Sequence, residues 1–196
     1  MGITIVLPAF NEEENIERTI AYTHETLRER FDEFEILIVD DASRDTTGAL
    51  ADRLAERYPE VRVLHNERNL RQGGSLLRGF REARFDLVTH NGMDMPFDVR
   101  DLDKMLPLMK EADVVVATRM QRPGYTLYRK FISHINVALM NLLFPLHLHD
   151  YSFVQLYRKA VLDAIEVDAR SQGFVIPETL VRAHDMGFRI REVPIE

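Results

Sequence analysis

The sequence predicts an α/β protein: a mostly parallel sheet with helices packed on both faces. Three observations carry this. Apolar, β-branched runs alternate with helically patterned segments over about the first 120 residues. Those runs are apolar throughout instead of at every second position, as strands covered on both faces are. Polar residues then follow each run directly, at the carboxyl ends of strands where open sheets of this kind hold ligands.

The elements follow in order. "ITIVLPAF" is the first strand, ended by Pro8. "NEEENIERTIAYTHETLRERF" is a helix with acids in its first turn and arginines in its last, as the helix dipole favours. "FEILIVDD" is a buried strand ending in carboxylates, "SRDTTGALADRLAERY" a helix and "VRVLHN" a strand. "GGSLLRGFREAR" is a glycine-led helix, "DLVTHNG" a strand, "DVRDLDKMLPLMKEA" one helix and "DVVVATR" a fifth strand. "GFVIPETLVRAHDMG" reads as a later helix. Asn11 and Glu12, Asp40 and Asp41, Asn66 and Arg68, Asp94, and Arg119 each follow a strand, so one edge of the sheet collects them.

Composition limits the function. With 25 basic against 32 acidic residues the net charge is −7, which argues against a general nucleic-acid binder. Arginines that converge locally still suit a phosphorylated ligand. There is no cysteine, which excludes disulfides and thiolate metal sites and fits a reducing, cytoplasmic setting. The opening run lacks a basic leader and reads as a core strand. The stretch "INVALMNLLFPL" from Ile135 is about a dozen residues, short of the roughly 20 that cross a bilayer. It reads as a buried helix, or as one lying against a membrane or a twin chain.

The polar tips have ordinary and functional readings. In "VDDASRDTT" a carboxylate can accept from a nucleobase N–H or from ribose hydroxyls, or Asp41 or Ser43 caps the next helix. Gly73 and Gly74 lead a helix whose free N–H groups suit a phosphate, or they serve turn geometry alone. "LHLHDYSF" offers His147, His149 and Asp150, but no further ligand cluster accompanies the histidines, which are expected to be surface or core fillers. Glu178, near the start of its helix, faces the site's ligand or complements the helix dipole.

Taken together, "LPAFNEEENI", "ILIVDDASRDTT", "NERNLRQGGSLLRGF", "DLVTHNGMD" and "GFRIREVPIE" resemble family 2 glycosyltransferases. Within them they resemble the dolichyl- or polyprenyl-phosphate sugar (mannose or glucose) synthases. The resemblance runs from the first strand to the last residue. It implies a glycosyltransferase A-type (GT-A) fold, Rossmann-like, over residues 1–196. A nucleotide-binding half would reach to about residue 120, with an acceptor half after it. It implies an inverting transfer from a GDP- or UDP-sugar to an acceptor, with a polyprenyl phosphate at the cytoplasmic face of a membrane as the expected one.

By that pattern Pro8, Phe10, Asn11, Glu12, Asp40, Asp41 and Gly74 form the nucleotide pocket. Phe10 stands where tyrosine is usual and Ala42 where glycine is frequent. Arg119, Arg129 and Ser133 match the acceptor-phosphate positions, and Asp150 is expected near the sugar, so that Asp94, Asp150 and Arg119 carry the catalytic roles. The resembling enzymes continue past "REVPIE", so the C-terminus reads as truncated. The family's Asp-x-Asp, followed by a glutamine, holds Mg2+ or Mn2+ against the donor diphosphate. Here it falls on Gly92, Asp94 and Pro96, leaving Asp94 as the one metal ligand. Asp98 is expected to cap the next helix. An alternative is a nucleotide-sugar-binding relative whose catalysis is lost or weak. A nucleotidyltransferase ranks below both, because no glycine- and lysine-rich loop follows the first strand.

Overall fold

A computed structural model of the protein describes residues 2–119, 127–144, 146–167 and 174–195; the side chains of 127–131, 133 and 134 lie outside that description. The strands are β1 (Ile3–Ala9), β2 (Phe34–Asp40), β3 (Val61–His65), β4 (Leu87–His90), β5 (Val114–Arg119), β6 (Gln155–Arg158) and β7 (Ile190–Ile195). The α-helices are α1 (Ile16–Arg28), α2 (Thr47–Arg57), α3 (Arg71–Glu82), α4 (Leu102–Met105), α5 (Leu127–Leu143), α6 (Lys159–Ala164) and α7 (Val175–Asp185).

The strands form one sheet in the order β3-β2-β1-β4-β6-β5-β7. All pairings are parallel except the two made by β6, which runs against β4 and β5. Alternation along each strand feeds two cores. Ile3, Ile5, Leu7, Ile36 and Ile38 pack with Ile16, Ile20, Leu27, Leu50 and Leu54, so α1 and α2 cover one face. Val6, Leu37, Val39, Val88 and Tyr157 pack with Leu76, Phe80, Val161, Ile176 and Leu180, so α3, α6 and α7 cover the other. The expected double-faced parallel sheet is therefore present.

Three expectations change. The segment after β4 is not one helix: 3-10 turns at Val99–Asp101 and Leu106–Lys110 flank the four residues of α4. Pro107 at the start of the second turn explains the break, since it lacks an N–H and its ring crowds the preceding turn. The first helix begins at Ile16 and not at residue 11, because residues 11–15 belong to a loop locked onto its neighbour. The sheet is not parallel at β6, which runs against β4 and β5 and brings a segment from late in the chain into the middle of the sheet.

Candidate active site

The order of strands reverses at β1: β2 lies on one side of it and β4 on the other. Such a switch point opens a crevice at the strands' carboxyl ends. Pro8 marks where it opens. β4 pairs with β1 only as far as Val6, and the Val6 carbonyl accepts from Asn91 beyond the strand's end. Pro8, two residues on, turns its missing N–H to that same side, where no strand remains to receive it. Phe10 follows, 41% exposed, with its ring available for stacking.

The loops after β1 and β2 are laced to each other. The Asn11 N–H donates to Ser43 Oγ at 3.0 Å and its Oδ1 accepts from the Arg44 N–H at 2.8 Å. The Glu12 N–H donates to Thr47 Oγ1 at 2.7 Å, and Glu13 accepts from both the N–H and hydroxyl of Thr46. Asn11 and Ala42 both take left-handed backbone, φ +54 and +58. Asparagine tolerates that region; alanine pays for it. Ser43 and Asp41 do not cap α2, contrary to the plainer reading of the motif. Thr46 is the N-cap residue, and Asp45 accepts from the Thr47 N–H.

Asp40 and Asp41 are both buried but have separate tasks. Asp40 Oδ1 accepts from the Ser43 N–H at 3.1 Å, and its Oδ2 lies 2.9 Å from His65 Nδ1. Asp41 Oδ1 accepts from Asn66 Nδ2 and from the Leu70 N–H, both at 2.7 Å. Asn66 also donates to Ser75 Oγ and accepts from Arg78 at 2.5 Å, while Arg78 donates to the His65 carbonyl at 2.6 Å. His65, Ser75 and Arg78 were not singled out from the sequence. Ser75 and Arg78 are three apart and so share a face of α3, a signal that helical spacing alone would have given.

α3 begins at Arg71 with Leu70 as its cap residue, so Gly73 and Gly74 lie in its first turn. A side chain on Gly74 would come within 2.7 Å of the Leu70 Cβ, which gives that glycine a packing reason.

At the tip of β4, Asn91 holds the loop together. Its Oδ1 accepts from the Gly92 and Phe97 N–H groups and its Nδ2 donates to the Phe97 carbonyl. His90 points into the core beside Phe80 with Nε2 3.0 Å from Gln155 Oε1, and burial lowers its pKa. Neither residue is therefore placed to replace the lost aspartate. Asp98 is the cap that was expected: it accepts from the Arg100 N–H, from the Arg100 guanidinium and from the Tyr22 hydroxyl, and the arginine holds its carboxyl well below the usual range.

Asp94 is exposed, and its carboxylate has no hydrogen-bond partner among the described residues. One oxygen lies 2.4 Å from where a Cβ on Gly92 would stand. Among the described residues no group of three or more histidines or carboxylates converges on one point. The donor set fits an ion that takes most of its ligands from diphosphate oxygens and water, not one enclosed by protein.

The antiparallel sense of β6 sends its start to the same edge, and with it Asp150. The Arg119 guanidinium donates to Asp150 Oδ2 through Nη2 at 3.0 Å and Nε at 3.2 Å, and lies 4.3 Å over the Phe153 ring. Asp150 Oδ1 accepts from the Ser152 N–H. Two residues expected to act separately thus form one ion pair, with Asp150 buried and Arg119 partly exposed. Arg129 and Ser133 fall in the first half of α5, but their side chains lie outside the described residues. His149 is a surface residue paired with Glu192, and Glu178 pairs with Arg182 one turn along α7.

An open sheet that parts between β1 and β4, with loops from neighbouring strands meeting above the gap, is the GT-A arrangement. Its backbone matches a mannosyltransferase from Pyrobaculum calidifontis solved with GDP-Man and Mn2+ (TM-score 0.72, 21% identity, 98% of this chain and 54% of that one). It also matches glucosyl-3-phosphoglycerate synthase from Mycobacterium tuberculosis, solved with Mn2+, UDP and glucosyl-3-phosphoglycerate (TM-score 0.73, 21% identity, 98% and 69%).

The chain belongs to glycosyl transferase family 2, whose sequence pattern it matches over residues 4–166. It is 32% identical over 206 residues to an undecaprenyl-phosphate mannosyltransferase of Micrococcus luteus, covering 100% of this chain and 83% of that protein. It is 31% identical over 204 residues to the glycosyltransferase AglD of Haloferax volcanii, 99% of this chain but 32% of the other. It thus spans about a third of the latter.

Proposed function

We propose that the chain transfers a hexose, with inversion, from a GDP- or UDP-sugar to a polyprenyl phosphate. The observation that carries this is the single edge that the loops after β1, β2, β3 and β4 share with the Arg119–Asp150 pair, in a chain resembling an undecaprenyl-phosphate mannosyltransferase along its whole length. The half up to β5 holds the donor and the remainder the acceptor.

On the donor side, Asp41 has Oδ2 without a partner among the described residues, whereas both oxygens of Asp40 are taken. Asp41 is therefore the carboxylate that accepts from the base, and Phe10 stacks on it. Pro8, Asn11, Glu12 and Gly74 shape the pocket. Asp94 would hold a Mg2+ or Mn2+ ion, which would neutralise charge on the departing nucleotide.

On the acceptor side, the phosphate is already an anion, so it attacks the anomeric carbon without a general base. Asp150 turns the Arg119 fork toward it, and Arg129 and Ser133 complete the phosphate site. α5 carries the lipid side: Ile132, Ile135, Leu139, Leu142 and Leu143 are exposed along one stripe of it, next to the acceptor residues. No helix among the described residues is long and apolar enough to cross a membrane, so the contact proposed is peripheral.

The test is transfer of labelled sugar from GDP-mannose and from UDP-glucose to undecaprenyl phosphate in vesicles, with and without Mn2+. The proposal expects a lipid-linked product that Asp94→Ala reduces at least tenfold and that Leu142→Glu reduces only when the acceptor is in vesicles. Donor binding with no transfer to any lipid phosphate would favour a binding relative. A dimer in sedimentation that Leu142→Glu dissociates would assign the α5 stripe to a second copy instead.

A further inference from the structure

Resting on the donor reading above, we propose that His65 is a positioning residue for the nucleoside. As an imidazolium held between Asp40 and Asp52, it fixes the loop after β2 in its binding shape. Donor affinity is then high while the ring is charged and drops when it loses its proton.

The geometry requires the charge. His65 Nδ1 lies 2.9 Å from Asp40 Oδ2, and Nε2 lies 2.9 Å from Asp52 Oδ1. A carboxylate only accepts, and a neutral imidazole has one N–H, so one of the two contacts would set lone pair against lone pair. Both are satisfied only in the protonated ring.

The charged groups around the ring are Asp40 from β2, Asp52 from α2 and Arg78 from α3, which reaches the His65 backbone carbonyl. Two carboxylates on the ring nitrogens outweigh one guanidinium spent on a carbonyl. Hydrogen bonds to Asp40 and then Asp52 accordingly raise the His65 pKa above its ordinary value of 6.5, with partial burial opposing them. Gly48 is part of the same arrangement: a Cβ there would stand 3.0 Å from Asp40 Oδ2 and 3.6 Å from His65 Cε1.

The bond travels outward from the ring. With Oδ2 held by His65, Asp40 turns Oδ1 to the Ser43 N–H, past the left-handed turn at Ala42. Ser43 then receives the Asn11 N–H, which ties the loop after β1 to the loop after β2. Asp41 sits inside this turn. When the proton is lost one N–H must serve two carboxylates; in the tautomer that keeps Nε2–H on Asp52 a lone pair faces Asp40, which then rotates away and loosens the strained turn beside the base-reading carboxylate. Asp52 lies outside the site, with a side chain 60% exposed, and acts only through the ring.

The experiment follows the imidazole and the loop by NMR from pH 5.5 to 8.5, with affinity for UDP-glucose and GDP-mannose measured across the same range. These sugars lack a phosphate that titrates there. The expected result is a His65 midpoint above 6.5, amide shifts of Ser43 and Arg44 that follow it, and a roughly three- to tenfold loss of affinity through the same midpoint. Asp52→Asn should lower the imidazole and affinity midpoints together, and His65→Gln should give a flat, weak profile.

A His65 midpoint at or below 6.5 overturns the proposal, as does an Asp52→Asn change that moves the ring's midpoint while affinity stays put. If neither sugar nucleotide binds at any pH, the donor reading fails. The Ser43 and Arg44 shifts then still decide the loop: motion with the ring upholds the lock, and indifference to the ring ends it.

Discussion

Gly79 offers the sharpest test of how the sheet holds the nucleoside pocket. It lies on α3 where the helix crosses β1 and β2, and a Cβ there would stand 2.2 Å from Val6 Cγ1 and 3.2 Å from Val39 Cγ2. Carbon atoms rest about 3.5–4.0 Å apart, so Gly79→Ala must push α3 away by roughly 1.3 Å or more. Val6 is fully buried and β-branched, and has little freedom to yield. Overpacking of this kind costs about 1–3 kcal/mol, and the better helix propensity of alanine returns up to about 1 kcal/mol. The net loss is on the order of 1–2 kcal/mol, or about 2–8 °C in Tm for a chain of this size. Because α3 also carries Ser75 and Arg78, which hold Asn66 against Asp41, nucleotide affinity should fall as well. Urea denaturation and calorimetric titration with a sugar nucleotide measure the two effects. A variant as stable as the parent, or more so, would mean that helix propensity went unopposed and that the close approach is absent.

Ala42→Gly should stabilise the fold by about 0.5–1 kcal/mol, because relief of the left-handed strain exceeds the extra freedom glycine gains when unfolded; a lower urea midpoint would contradict it. Asp150→Asn should cost about 1–3 kcal/mol and reduce transfer, the lower range reflecting solvent screening at Arg119, whose side chain is 25% exposed. Unchanged stability there would show that the pair is idle. His90 titrates in the opposite sense to His65. Its folded pKa is depressed by burial, so the stability it contributes is present above about 6.5 and is lost as pH falls toward the depressed value. Urea midpoints between pH 4.5 and 7 should therefore decline more steeply in the parent than in His90→Leu. For His65, raised by its carboxylates, the contribution is present at low pH and is lost as pH climbs through the folded value.

Where strands were continuous apolar runs, the sequence was easy to read: "ILIV" and "VVVA" have no polar face, so they had to lie between helices. Their polar successors then had to share an edge, because parallel strands end together. The segment after β4 was misread because helical periodicity persists through Pro107 although the hydrogen bonding does not. β6 is four residues long and antiparallel, and nothing local in "QLYR" specifies which neighbour it joins.

Residue types and their order along the chain settled the fold class, the edge that holds the polar groups, and the loss of carboxylate and amide at Gly92 and Pro96. Folding decided which of those groups remain available. Asp40 is saturated by Ser43 and His65, Asp41 keeps one oxygen, Asn91 is spent on its own loop, and Arg119 is turned by Asp150. The division has a physical cause. Burial and strand direction follow from periodicity within a segment, whereas a hydrogen bond joins groups 25 to 31 positions apart, as in His65 with Asp40 and Arg119 with Asp150, and exists only once the sheet has brought them within 3 Å.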